Sequence, residues 1–345
     1  MYSRNVTSLL LVALFSGIGC TSADSTDMSQ RPVGFGAVDA RGQNGTTGGL
    51  GGPTVTATTA EELMNYISQD GPLVIQVKGT IRLPTDVTHN GADTYGMHMV
   101  RSHKTIIGIG EDATIEAGGF GIGFYPWDNT ILSTPPDATK NVIIRNLNFD
   151  QKDGVYGETD GVNIFMWTHH VWVDHCTFRN AVDGSVDIKR GASYVTVSNN
   201  LFIEAPQACM LGRHEGAEIP YEDTDYHLVT YHHNWYRDCD ERMPWVYWGK
   251  AHVFNNYWSN VQGHALTVGN ESQIYSENNY LDGGAFVTVQ SEDGALLDQG
   301  SLGSESHNPA GVEWNPRSFY DYTLDPTDEV KEKVMANAGA GKLPL

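Results

Sequence analysis

Residues 141–149 read NVIIRNLNF, and the pattern returns five more times down the chain. It is HVWVDHCTF at 170–178, YVTVSNNLF at 194–202, LVTYHHNWY at 228–236, HVFNNYW at 252–258 and QIYSENNYL at 273–281. Aligned, the segments end in one column of Phe149, Phe178, Phe202, Tyr236, Trp258 and Leu281. Two positions earlier stands a second column: Leu147, Cys176, Asn200, Asn234, Asn256 and Asn279. The steps along the aromatic column are 29, 24, 34, 22 and 23 residues. A parallel β-helix completes a coil in roughly 22 residues and carries surplus residues as loops. Like residues then stack on like: aromatics along the interior or a groove, asparagines as hydrogen-bonded ladders at the turns. A β-sandwich requires no such matched columns, so the repeat predicts an all-β parallel β-helix.

Working outward, a second short apolar run precedes or follows each segment. These runs, at 161–165, 185–189, 209–212, 244–248, 265–268 and 286–290, predict at least two strands per coil. Two more β-branched runs, 73–77 and 105–109, extend the array towards the N-terminus. Thr59 and Glu62 stand at capping-box spacing ahead of an apolar face of Leu63, Tyr66 and Ile67, which predicts a helix. A second helix is expected after Asp325-Pro326 and before Gly339. Solenoid ends expose strand edges, and a helix at each end is the expected cap. Residues 24–50, rich in Ser, Thr and Gly, read as a short tether and an ordered lead-in.

The first residues read as an export signal over 1–23: Arg4, an apolar run from Leu9 to Ile18, then Ser16-Gly17-Ile18-Gly19-Cys20. A lipoprotein signal ending at Cys20 and ordinary cleavage near Ala23 both fit that pattern. The expectation is an exported chain, extracellular or anchored to the cell envelope through Cys20, with 24–345 as one domain and no transmembrane segment. Cys176, Cys209 and Cys239 show no metal-site spacing and read as small buried hydrophobes.

The 345 residues hold 21 Lys and Arg against 42 Asp and Glu, a net charge of −21. That balance argues against nucleic acid as partner, since phosphate binding relies on clustered cations. At first sight it also disfavours an acidic substrate. The excess is uneven, however: residues 214–345 carry 7 cations and 21 acids, whereas 142–213 carry 6 and 8. Asp160, Asp183 and Asp187 lie at or on the strands of two consecutive coils, which stack about 4.8 Å apart. Carboxylates converging there repel one another unless a cation joins them, and an oxygen-only set suits Ca²⁺. Spacing alone also allows three solvated turn residues. Lys189 shares the strand face of Asp187, and Arg213 and Arg242 are the nearby arginines. His169-His170 and His232-His233 are adjacent strand residues, expected to face opposite ways and to serve in turns or at the surface rather than hold a metal.

These residues carry a family resemblance. The chain resembles the pectate lyases of polysaccharide lyase family 1 from about Pro32 to Tyr280. The shared motifs include PVGFGA (32–37), TTGGLGGPTVTATT (46–59), KTIIGIG (104–110), VWVDH (171–175), DGSVDIK (183–189), Arg242-Met243-Pro244 and HVFNNYW. The resemblance implies a right-handed parallel β-helix, with capping helices and long loops on one face. It implies eliminative cleavage of α-1,4-polygalacturonate to 4,5-unsaturated products, with Asp160, Asp183 and Asp187 as Ca²⁺ ligands. Arg242 matches the base that removes the C5 proton, and Lys189 a substrate contact near the metal. Two positions depart from the pattern: Gln207 and Tyr247 stand where a lysine and an arginine are usual. That favours partly methyl-esterified pectin or moves the duty to Arg213 or Lys250. The expectation is a monomeric, Ca²⁺-dependent pectate lyase acting on pectin polysaccharide. The alternatives are a pectin lyase, a β-helix glycoside hydrolase and a non-catalytic surface protein that binds polyuronate.

Overall fold

The asparagine-rich turns fix the shape of each coil. Asn146, His175, Asn199, His233, Asn255 and Asn278 all adopt left-handed backbone, with φ between 45° and 55°. Asn tolerates that region better than most residues, which explains its abundance here. The residue after each is the ladder position. Asn200, Asn234, Asn256 and Asn279 point inward, and each Oδ1 accepts from the backbone N–H of the preceding ladder residue at 2.8–3.0 Å. The amide groups continue the chain, as in Asn200 Nδ2 to Asn234 Oδ1 at 3.0 Å. All four are buried, and the ladder satisfies amides whose desolvation would otherwise cost about 1–3 kcal/mol each.

The computed structural model describes residues 30–124, 134–212, 227–283, 286–289, 294–303 and 311–343. Its strands stack in three parallel columns, which form a parallel β-helix. The first column includes Leu73–Arg82, Lys104–Glu116, Lys140–Arg145, His169–Asp174, Ser193–Ser198, Leu228–His232, Lys250–Phe254 and Gln273–Glu277. The second, joined to it through Lys104–Glu116, includes Asn148–Asp150, Thr177–Arg179, Leu201–Ile203, Trp235–Arg237, Tyr257–Ser259 and Tyr280–Asp282. The third runs Met97–Met99, Gly119–Ile122, Val162–Ile164, Gly184–Ile188, Gln207–Leu211, Trp245–Tyr247, His264–Gly269 and Phe286–Val289.

Register reproduces the column read from the sequence: Phe149 pairs Phe178, then Phe202, Tyr236, Trp258 and Leu281. The rings stack inside the coils rather than in a groove, with centroids 4.8–5.3 Å apart and planes within 15° of parallel. Each fully buried aromatic of this kind contributes about 1.5–3 kcal/mol of burial free energy. Cys176, Cys209 and Cys239 are free, buried thiols within the same core, as expected of small hydrophobes.

Helix α1 (Ala60–Ile67) has the expected Thr59–Glu62 capping box and buries Leu63 and Ile67 in the core. Helix α2 (Thr327–Asn337) departs from the expected end cap. Val330 and Val334 pack on Tyr257 beside Trp235 and Tyr280, on the outer face of the second column. The chain then runs back along the coils: Gly339 N–H donates to Asn199 O, Ala340 N–H to Thr177 Oγ1 and Gly341 N–H to Asn146 Oδ1. The exposed apolar rings of that face, not the open end of the stack, recruit the helix. The lead-in is likewise docked, with Phe35 N–H on Thr230 Oγ1 and Gly36 N–H on Thr196 Oγ1.

The histidine pairs correct the sequence reading. His170 and His233 have left-handed backbone, with φ of 59° and 55°, so strand alternation is broken. Each pair meets ring to ring, Nδ1 to Nδ1 at 2.7 Å for His169–His170 and 2.9 Å for His232–His233. Burial lowers the pKa of all four, so they pack as neutral rings. The export signal with Cys20 lies outside the described residues, as does most of the long loop between Phe202 and Tyr236, Arg213 included. Among the described residues no helix is long and apolar enough to cross a membrane.

Candidate active site

The third column alternates strictly. Val162, Ile164, Val186, Ile188, Leu211 and Val246 point into the core. Their neighbours point out, and register aligns them as Met99, Gly121, Asn163, Asp187, Met210, Trp245 and Thr267 from coil to coil. A cleft of about 460 Å³ lies on this outward row. Its rim comes from two loops between strands, one carrying Thr94 and Tyr95, the other Gly157 and Glu158. Thr159 Oγ1 donates to Tyr95 O at 2.6 Å and ties the loops together.

The structure brings Asp160, Asp183, Asp187, Lys189, Gln207, Arg242 and Tyr247 into this one cleft. Lys250 is elsewhere: it opens a strand of the first column, paired with Leu228 and Gln273. Asp160 and Asp187 are buried, whereas Asp183 is half-buried. Asp160 Oδ1 accepts from Gly184 N–H at 2.9 Å and Asp187 Oδ1 from Met210 N–H at 3.2 Å. Burial, reinforced by the charge of Asp187, pushes Asp160 well above the usual carboxylate range. The same two causes raise Asp183. Such a group of acids calls for positive charge. Lys189 supplies some, with Nζ 3.2 Å from Asp187 Oδ2 and 3.7 Å from Asp160 Oδ2.

Two residues that sequence reasoning did not single out complete the arrangement. Asn163 donates from Nδ2 to Asp160 Oδ2, while its Oδ1 is buried with no hydrogen-bond partner. Gly184 makes the approach of the two coils possible. A Cβ there would lie 2.4 Å from Asp187 Oδ1 and 2.8 Å from Asp160 Oδ1. Gly184 sits within the quoted DGSVDIK motif, and the alternation of Val162-Asn163-Ile164 already aims Asn163 outward. Among the described residues, no three His, Cys, Asp or Glu side chains stand arranged around a common metal position. The donor set is nevertheless oxygen only and strongly anionic, and its orphaned Asn163 oxygen and missing Cβ leave room between the coils. In kind it fits a hard divalent cation.

Arg242 faces the acids from the next coils. Its guanidinium lies over Trp245, with Cζ 5.5 Å from the ring centroid, and Nη1 is 3.7 Å from Met210 Sδ. Of the acids just before it, Asp240 is exposed and Asp238 accepts from Asn260. Glu241 does not turn away: its Oε1 is 3.7 Å from Arg242 Nε. The site therefore combines a carboxylate cluster with a lysine and an arginine around one cleft, a set able to bind an anion through a cation and to move a proton beside it.

Comparison with known proteins agrees with the fold. The sequence profile of the family described as "Pectate lyase" matches residues 7–343. A pectate trisaccharide-lyase of Thermotoga maritima is 34% identical, with 99% of this chain and 96% of that protein aligned. A pectate trisaccharide-lyase of Bacillus licheniformis is 28% identical over 87% of this chain and 84% of its own. Among solved structures, a thermostable pectate lyase superposes with a TM-score of 0.73 at 25% identity, covering 92% of this chain and 99% of that one.

Proposed function

The chain belongs to the pectate lyase family of polysaccharide lyases, and from that premise we propose that it cleaves polygalacturonate by Ca²⁺-dependent β-elimination with Arg242 as the base. The observation that carries this reading is the convergence of Asp160, Asp183, Asp187, Lys189 and Arg242 in one cleft. Asp160, Asp183 and Asp187 would hold the ion, with Asn163 Oδ1 beside them. Bound there, Ca²⁺ would neutralise the uronate carboxylate and stabilise the enolate character that develops at C6.

The remaining work falls to the chain's own residues. Lys189 holds positive charge beside Asp160 and Asp187 and would meet a uronate oxygen. Arg242 takes the C5 proton as the bond from C4 to the glycosidic oxygen breaks, which leaves the 4,5 double bond, and the departing oxygen takes a proton from water. A guanidinium is nearly always protonated, so Arg242 acts as a base only where positive charge held at the Asp cluster and at Lys189 opposes a further cation. The trisaccharide-lyase relatives support a trimer as the main product, which chromatography of a digest tests. Export, to the medium or to the envelope through Cys20, goes with a polymeric substrate too large to enter a cell.

The deciding experiment follows the ultraviolet absorbance of the unsaturated uronate for wild type and Arg242→Ala, each with Ca²⁺ and with a chelator. Wild type with Ca²⁺ alone should give product. Activity that survives the chelator refutes the metal, and activity that survives in Arg242→Ala refutes the base.

A further inference from the structure

The row of residues under the cleft has an end. Met99, Gly121, Asn163 and Asp187 follow one another along it, one coil apart each. Met97–Met99 is the first strand of that column, so the row stops at Met99. Three coils, those of Met99, Gly121 and Asn163, therefore lead from the end of the row to the coil that carries Asp160. The turn just before Met97 stands at this end. Its Tyr95 lines the cleft and is 39% exposed at the mouth. Tyr95 has left-handed backbone, with φ of 52°, which is uncommon for a residue with a ring. Such a conformation persists where its surroundings over-determine it, and here four hydrogen bonds do. Tyr95 N–H donates to Asp93 Oδ1 at 2.8 Å and Met97 N–H to Thr94 O at 2.9 Å. Gly119 N–H donates to Gly96 O at 3.0 Å, and Thr159 Oγ1 to Tyr95 O at 2.6 Å. Thr159 is fully buried and directly precedes Asp160, so the turn is fastened to the same segment as a proposed ligand.

There is space beyond this turn. Thr94, Met97 and Met99 line the cleft on one side and a second cavity of about 760 Å³ on the other. The turn and the first strand are thus a partition between two cavities. Coils repeat at about 4.8 Å, so a galacturonan laid along the row passes roughly one sugar per coil. A chain whose end abuts Tyr95 sets three sugars against the coils of Met99, Gly121 and Asn163. The bond after the third sugar then lies towards the coil of Asp187, between the acids and Arg242. The Tyr95 ring gives the terminal sugar an apolar face to stack on.

We propose that Tyr95, held in place by Thr159, is the stop that sets product length: the chain end rests on its ring, and cleavage three coils away releases a trimer. This rests on the lyase reading of the same cleft, in which Tyr95 determines specificity and Thr159 is a positioning residue. The test digests de-esterified polygalacturonate with Ca²⁺ present and sizes the unsaturated products by anion-exchange chromatography while conversion is still low. Wild type should release trimer from the first time point. Tyr95→Gly removes the ring, and glycine is at ease with left-handed backbone, so the turn keeps its path. That variant should lower the ratio of trimer to longer products about tenfold, equivalent to about 1.4 kcal/mol, because the partition to the second cavity is opened. Thr159→Val, which cannot donate to Tyr95 O, should shift the ratio the same way, whereas Thr159→Ser and Tyr95→Phe should keep the wild-type ratio. Tyr156→Ala is the control: Tyr156 is on the neighbouring loop, 89% exposed, and does not line the cleft, so product length should not change. Wild type that releases mixed lengths from the start, or Tyr95→Gly that releases trimer at the wild-type ratio, overturns this inference and leaves the lyase reading standing. Absence of unsaturated product from wild type overturns both.

Discussion

Gly184→Ala tests whether two coils hold one ion together. Gly184 does not have left-handed backbone, so alanine is allowed there and its effect is steric. The added Cβ would lie 2.4 Å from Asp187 Oδ1, 2.7 Å from Asp187 Cγ and 2.8 Å from Asp160 Oδ1. Ordinary contact begins near 3.4 Å, so Asp187 must retreat by about 1 Å and Asp160 by about half that. The Met210 N–H to Asp187 Oδ1 bond, already 3.2 Å, would then exceed hydrogen-bonding range. Overpacking of this size costs about 1–3 kcal/mol of stability. Displacing a support of the ligand carboxylates lowers metal affinity about 10–100-fold. The assay is a calorimetric Ca²⁺ titration of wild type and variant without polymer, paired with denaturant unfolding of the metal-free proteins. Ca²⁺ affinity within about twofold of wild type, alongside the stability loss, would refute joint ligation by Asp160 and Asp187.

Other outcomes follow from the scaffold. Asp174 is buried between Arg145 Nε at 2.9 Å and His175 Nδ1 at 2.7 Å, and accepts from Ser198 and Asn199. Burial opposes its charge, but His175, Arg145 and the hydrogen bonds win and hold it well below the usual range. Its contribution is therefore complete above its unfolded pKa of about 3.9 and is lost as pH falls towards the depressed folded value. Asp174→Asn should cost about 3–5 kcal/mol near neutrality, with the gap to wild type closing in acid; urea unfolding at several pH values shows this, and a pH-independent gap would contradict it. Asn234→Ala leaves Asn200 N–H and Nδ2 without their acceptor and should cost about 2–4 kcal/mol by the same measurement. Phe202→Ala opens a gap between Phe178 and Tyr236 and should cost about 3–5 kcal/mol; a loss under about 1 kcal/mol would mean the coils collapse to fill it.

The repeat was legible because a solenoid writes its geometry into the chain: residues one coil apart in space are one period apart in sequence, so the columns Phe149–Leu281 and Asn200–Asn279 appear before any coordinates do. The core, the ladder and the stacking order follow from that. Periodicity put Asp160 and Asp187 on adjacent coils, and their reading as metal ligands came from the family resemblance. The residues that line the site through space without sharing the repeat were not. Tyr95 reaches the rim from a loop far upstream, and the approach of Glu241 Oε1 to 3.7 Å from Arg242 Nε is a matter of side-chain placement that no repeat encodes. The histidine pairs escaped because a left-handed residue cancels strand alternation, and backbone handedness at His170 and His233 is set by the turn. Helix α2 was legible as a helix but not as a side strap, because its partner is a set of exposed rings that only the folded coils assemble. Sequence alone determined the coil, its stack and the acids that share it, all consequences of periodicity. Tertiary structure decided which side chains from different loops meet the cleft and with what charge, because those contacts depend on distances that no period encodes.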